Sequence, residues 1–249
     1  MRLKHLFPIL GYFLLLGLGT GNRIAYPQPI RAAADWNLFT TLPPVPVQQS
    51  IAYTLKTPAN EILLPIEGEM ILAHVNKTYT LPASYVPPGL AKINSVPSMG
   101  TEYLRAGVLP YFYQLFGAAK NAGFSISVVS AYRSYATQAA TFNYWVSQFG
   151  YRAATTGSAR PGHSEHQLGT VVDLGLVGNS DFGSFTASPA AGWVAKNAYK
   201  FGFTVSYQLG KENITGYISE PWHIRWIGIE LATKLYQQKL TLEEYLSEE

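Results

Sequence analysis

An α+β fold, with a small, mainly antiparallel sheet flanked by helices, is predicted for this 249-residue chain from three observations. Short β-branched or alternating runs recur in its second half, at FSISVVS, TVVDL, FTVSY and HIRWI. Longer stretches between them space their apolar residues at helical intervals. Hydrophobic residues make up 47% of the chain and charged residues 13%, a composition that folds around a core.

The elements follow in order. Residues 101–122 carry apolar side chains at Leu104, Val108, Tyr111 and Leu115, which predicts a helix. Pro110 should kink or split it, and Gly123 should end it. Phe124, Ile126 and Val128 alternate and predict a strand, followed by a helix over 134–148. Residues 169–174 are short and β-branched, as a buried strand is. A helix over 192–200 ends near Gly202, FTVSY and HIRWI are further strands, and 229–238 is helical. In the tail, Thr241 and Glu244 have the spacing of a capping box, with Leu240 placed to pack on Tyr245.

Upstream the pattern is looser. The chain starts with the basic MRLKH, and an apolar run at 6–21 follows. That run is short for a membrane-spanning helix, which needs about 20 residues, and residues 1–21 read as a secretory signal or an N-terminal membrane anchor. Residues 22–69 hold YPQPI and TTLPPVPVQQS and read as a Pro-rich extended linker, with room for a strand or two near its end in ILLPIEGEMILAHVN. A single domain is expected over 70–249.

Composition also excludes some chemistry. With no cysteine there is no disulfide, no thiolate ligand or nucleophile and no lipoprotein anchor, so any metal must be held by His, Asp or Glu. A net charge of +3, scattered along the chain, gives no nucleic-acid footprint. The 17 tyrosines and five tryptophans suit sugar or peptide contacts as well as an ordinary core.

Three segments carry chemistry. The first is GHSEHQLGTVVDLG, residues 162–175. A carboxylate such as Asp173 in a buried strand is costly unless it is paired or bound to a cation. His166 precedes that strand, across a turn that Gly169 permits. The second is SEPWHIRWIG, where Pro221 holds Glu220 extended and His223 and Arg225 share one strand face, with Trp222, Ile224 and Trp226 on the other. Two imidazoles and one carboxylate with an open position make a catalytic zinc site, and a separate glutamate can handle the proton. The third is SAYRSYATQ, in which Arg133 offers a fixed positive fork to an oxygen gaining negative charge. Taken singly, each has an ordinary explanation as a structural hydrogen bond, a surface ion pair or core packing. Their co-occurrence, each in a complementary role, points to a metal hydrolase.

Together SAYRSYATQ, RPGHSEHQLGTVVDLG and ITGYISEPWHIRWIG resemble the zinc-dependent D-alanyl-D-alanine carboxypeptidases of the VanY type. That peptidase family also includes phage endolysins and D-Ala-D-Ala dipeptidases. Its signature, Ser-x-His-x-x-Gly-x-Ala-x-Asp and then Glu-x-x-His, falls here on Ser164, His166, Gly169, Val171 in place of Ala, Asp173, Glu220 and His223. VNKTYTLPASYVPPGL, from Val75, resembles the opening segment of the same domain, so the likeness spans roughly residues 70–245.

The resemblance implies that His166, Asp173 and His223 bind one zinc ion per chain, that Glu220 is general base and acid, and that Arg133 polarises the scissile carbonyl. Gln138, Ser164, Tyr207 and Trp222 match positions lining the substrate pocket. The implied substrate is the stem peptide of bacterial peptidoglycan, cut to release its C-terminal D-alanine by a monomeric enzyme exported to the cell envelope. An L,D-carboxypeptidase, endopeptidase or dipeptidase cut is the alternative within the class. An inert wall-binding module is the alternative outside it, and the presence of all five polar roles argues against that. Val171 is bulkier than the family's Ala, and Ser206 and Gln208 stand where relatives usually carry Arg and Pro, departures that bear on substrate preference more than on catalysis.

Overall fold

The computed structural model describes residues 61–248, Gly68 excepted, so the expected signal or anchor and most of the expected linker lie outside it. Among the described residues no helix is long and apolar enough to cross a membrane. In chain order the elements are β1 (Ile62–Leu63), β2 (Tyr79–Thr80), β3 (Leu90–Lys92), β4 (Tyr103–Arg105), α1 (Leu109–Asn121), β5 (Ile126–Ser130), α2 (Tyr135–Phe149) and α3 (Tyr151–Gly157). A 3-10 turn (Glu165–Leu168) then leads into β6 (Val171–Leu176), α4 (Phe182–Ala187) and α5 (Pro189–Asn197). A second 3-10 turn (Ala198–Phe201), β7 (Phe203–Val205), α6 (Glu212–Thr215), β8 (His223–Trp226), α7 (Ile229–Gln238) and α8 (Leu242–Ser247) complete the chain.

The central sheet has the order β5-β6-β8-β7, and every neighbouring pair is antiparallel. Alternation puts Val128, Val172, Leu174 and Ile224 into the main core, against Phe112 and Leu115 of α1. Each such side chain, fully buried, contributes about 1.5–3 kcal/mol by leaving water. Two small pairings lie beside this sheet, β1 with β2 in parallel and β3 with β4 antiparallel.

Several boundaries differ from the sequence expectation. The long helix over 101–122 is a strand followed by a shorter helix: residues 103–105 pair with β3, and α1 starts only at Leu109. Pro110 therefore sits in the first helical turn, where its missing N–H costs nothing, and does not kink the helix. The strand expected from 169 starts at Val171, because Gly169 is the left-handed cap of the preceding 3-10 turn, at φ 69°. A Cβ there would stand 2.9 Å from Pro87 Cγ, so Gly169 is required by both conformation and space. The helix expected over 192–200 begins earlier, at Pro189, and tightens to 3-10 geometry before Gly202. Helix α7 occupies 229–238 as expected, and the capping box at Thr241 and Glu244 is formed in both directions. Leu240 and Tyr245 both pack on the small core of Ile227, Leu235 and Leu242.

Residues 61–69, read from the sequence as the end of the linker, carry β1. Beside it, the Glu61 carboxylate lies 2.9 Å from Arg160 Nη2 and 3.0 Å from His163 Nε2. His163, the first histidine of the 162–175 segment, thus ties the start of the described chain to the body of the fold.

Candidate metal centre and active site

The sheet register builds the site. Asp173 of β6 and His223 of β8 are directly opposed, so their side chains leave the same face side by side. The register of β5 shifts between Val128 and Ser130, which brings Ser130 level with Asp173 and turns the chain toward Arg133. His166 arrives from the 3-10 turn. Its Nε2 is 3.0 Å from Asp173 Oδ2, while His223 Nδ1 is 3.0 Å from Asp173 Oδ1. One ligand atom from each of the three buried residues lies within 4.8 Å of the others, a group that could hold a metal ion.

The protons fit a cation at this point. His166 Nδ1 lies 2.5 Å from the Ala131 carbonyl oxygen, which can only accept, so Nδ1 carries the proton and Nε2 presents a lone pair. That lone pair faces a carboxylate oxygen, two acceptors in contact, and a cation between them makes both contacts favourable. Two imidazoles and a carboxylate suit zinc, and each imidazole has a partner on its far nitrogen: Ala131 O for His166, and Glu165 Oε2, at 2.9 Å, for His223.

The electrostatics agree. Burial lowers the His166 imidazole below its usual range, outweighing the nearby Asp173, so the ring is neutral as a ligand must be. Burial acts the same way on His223, but its hydrogen bonds to Asp173 and Glu165 prevail and raise it to about 10. This excess of negative charge is what a divalent ion would neutralise.

Glu220 stands apart from this set. Its Oε2 is 3.8 Å from His223 Nδ1, beside the group but farther out than Asp173. Burial raises its carboxyl to about 8, partly opposed by His223. A proton affinity near neutrality suits a group that takes and returns a proton.

Arg133 approaches from the other side. Its Nη2 is 3.7 Å from Asp173 Oδ2 and donates to Ser130 Oγ at 2.9 Å, while Nη1 donates to Gln138 Oε1 at 2.7 Å. Gln138 is buried and gives its own amide hydrogen to the Ala159 carbonyl at 2.7 Å, so both ends of its amide are engaged. Ser164 is buried at the cap of the 3-10 turn, and the Tyr207 ring lies 4.8 Å from that of His223. Trp222 takes the opposite face of β8, in the main core, stacked on Phe182 at 4.6 Å. The structure therefore gathers His166, Asp173, His223, Glu220 and Arg133, sets the Tyr207 ring beside His223, and places Gln138 behind Arg133 and Trp222 beneath the strand, while Ser164 is buried at the start of the turn that carries His166.

Two further residues belong to this neighbourhood, Glu165 and Arg225. Arg225 was legible as a face-mate of His223. Nothing local marked Glu165, whose partners are 58 and 60 residues away in sequence.

A buried His/Asp/His group with an outlying glutamate and an arginine at its edge defines a single-metal hydrolase. A family model described as VanY, D-alanyl-D-alanine carboxypeptidase, matches residues 101–229, and the chain belongs to that family. It is 34% identical over 226 residues to a D-alanyl-D-alanine carboxypeptidase of Enterococcus faecalis (strain ATCC 700802 / V583), covering 84% of this chain and 81% of that one. Among solved structures it resembles the LD-carboxypeptidase LdcB (TM-score 0.67, 36% identity, 76% of this chain and 97% of that one). It also resembles a variant of the vancomycin resistance D,D-pentapeptidase VanY in complex with Zn(II) (TM-score 0.62, 37% identity, 72% and 99%). Zinc is accordingly the cofactor of this chain.

Proposed function

We propose that this chain is a zinc carboxypeptidase that removes the terminal D-alanine from peptidoglycan stem peptides ending in D-Ala-D-Ala, with His166, Asp173 and His223 holding the metal. The observation that carries the reading is the placement of Glu220, 3.8 Å from His223 yet outside the three-residue group. Bound zinc supplies Lewis acidity, which brings the pKa of a water from about 16 to about 7. Glu220 accepts the proton of the attacking water and returns it to the leaving amine of D-alanine. Arg133 donates to the carbonyl oxygen as it becomes anionic, an effect of about 3–4 kcal/mol for a well-placed donor. Gln138 holds Arg133 in place from behind. Ser164 and Arg133 meet the substrate's free carboxylate, Tyr207 walls the cleft beside His223, and Trp222 supports β8 from the core side.

Mass spectrometry of defined tri-, tetra- and pentapeptide muropeptides after incubation tests this. Loss of one D-alanine from the pentapeptide is expected. Cutting inside the stem, or of the tetrapeptide alone, would replace the reading with an endopeptidase or L,D-carboxypeptidase. We further propose export to the bacterial cell envelope and action as a monomer. The basic start and apolar run at 6–21 support export, and cell fractionation and size-exclusion chromatography test the two proposals.

A further inference from the structure

Behind His223, on the side away from the other ligands, runs a chain of contacts that the reaction steps do not use. Glu165 Oε2 lies 2.9 Å from His223 Nε2, and Arg225 Nη1 donates to Glu165 Oε1 at 2.6 Å. Arg225 is wholly buried, and its Nη2 donates to the carbonyls of Ile71 and Ala73 at 2.8 and 2.9 Å. Glu165 is adjacent to His166 in the chain, but a 3-10 turn separates neighbours by about a third of a revolution, so the two side chains approach His223 from different sides. The two nitrogens of one imidazole point apart. Glu165 therefore touches the far nitrogen and stays out of the ligand group.

Resting on the zinc reading above, we propose that Glu165 is a positioning residue of the metal centre: it holds His223 in the Nε2–H tautomer, leaves Nδ1 as the metal-facing lone pair, and is itself held by Arg225. A ligating histidine whose other N–H is given to a carboxylate has its ring orientation fixed and its basicity raised. The Arg225 fork captures one Glu165 oxygen and so aims the other. His223 and Arg225 reach the same carboxylate because they are two residues apart on one strand face. Glutamine at 165 cannot satisfy both partners. Its NH2 would oppose either the Arg225 donor or the Nε2–H of His223, and in the second case relief requires the tautomer with its proton on Nδ1, where the metal must bind.

The test is zinc affinity by chelator competition on the full chain, comparing the native protein with Glu165→Gln, Glu165→Asp and Arg225→Lys, with circular dichroism as the check on folding. Glu165→Gln should bind zinc about 10–100-fold more weakly, and Glu165→Asp should recover part of the loss. In the zinc-loaded native protein, ¹⁵N spectra of the imidazoles should show His223 protonated on Nε2. A folded Glu165→Gln with affinity within about twofold of native, or a native spectrum with the His223 proton on Nδ1, would overturn the proposal. Should Glu165→Gln not fold, Arg225→Lys decides: weaker zinc binding supports the role and unchanged binding removes it. His166→Ala keeps the two readings separate. If it retains zinc, the ligand set itself has failed, whereas loss of zinc there beside an unaffected Glu165→Gln removes the positioning role alone.

Discussion

Arg133 Nη1 and Gln138 Oε1 form a charge-assisted hydrogen bond of 2.7 Å, and the same glutamine is anchored at its other end to the Ala159 carbonyl. The loop that delivers Arg133 and the helix that follows it are thus joined one turn into α2. Removing the arginine should cost about 10²–10³-fold in kcat, as loss of an oxyanion donor does. Gln138→Leu should cost about tenfold, with KM little changed, because a hydrogen bond to a charged group is worth about 1.5–3 kcal/mol and only part of it reaches the reaction. Steady-state kinetics on a D-Ala-D-Ala pentapeptide decide. An unchanged kcat in Gln138→Leu would mean that Arg133 is held well enough without it.

The proposed metal ligands and the proposed proton carrier should separate cleanly. His166→Ala and His223→Ala are expected to lose zinc and activity together. Glu220→Gln should keep zinc while turnover falls by about 10²–10⁴-fold. Metal analysis of the purified variants, set beside their rates, checks both. Full zinc in either histidine variant sinks the ligand assignment, and loss of zinc from Glu220→Gln would place Glu220 on the metal.

Acid should weaken the fold partly through Glu165. Burial raises its carboxyl, but the Arg225 charge and the His223 hydrogen bond prevail and bring it from 4.5 to about 2. A depressed carboxyl adds stability that is complete above its unfolded pKa, near 4.5, and is lost as pH falls toward its folded value near 2. The shift corresponds to about 3 kcal/mol. Urea denaturation of the full chain in excess chelator should show stability falling below about pH 4.5, with that part of the fall missing in Glu165→Gln. Parallel curves for the two proteins would count against it.

A carboxypeptidase must read a free C-terminus. Amidating the terminal carboxylate of the pentapeptide should slow its cleavage about 5–150-fold, the effect of leaving buried donors poorly paired at about 1–3 kcal/mol. Equal rates on amidated and free substrate would show that the carboxylate is not what the site recognises.

The sheet strands and the grouping of His166, Asp173 and His223 were legible because local pattern carries them. Val171–Leu176 and His223–Trp226 are β-branched or alternating, and a carboxylate at Asp173 within such a run has few uses other than a cation. Residues 103–105 were hidden because Leu104 and Val108 fall at helical spacing by coincidence. The strand exists only through pairing with Leu90–Lys92, which a local window does not see. Glu165 was hidden for the same reason at the level of the site. Its neighbours Ser164 and His166 were marked, but nothing in that segment assigned Glu165 a partner, and its contacts to His223 and Arg225 are created by the sheet. Gln138 was matched by resemblance to a position lining the substrate pocket, and the fold engages both its amide atoms, with Arg133 and Ala159.

The Glu61 contacts bear on how the protein is cut down for laboratory use. A fragment starting at residue 70 would discard β1 and leave Arg160 and His163, two residues of the loop that leads into the His166 turn, without the carboxylate they share. In limited proteolysis the bonds around residue 61 should accordingly be protected, because Glu61 is fastened to Arg160 and His163. Expression boundaries set just upstream of that point retain the fastening, whereas boundaries set at the end of the proline-rich sequence remove it.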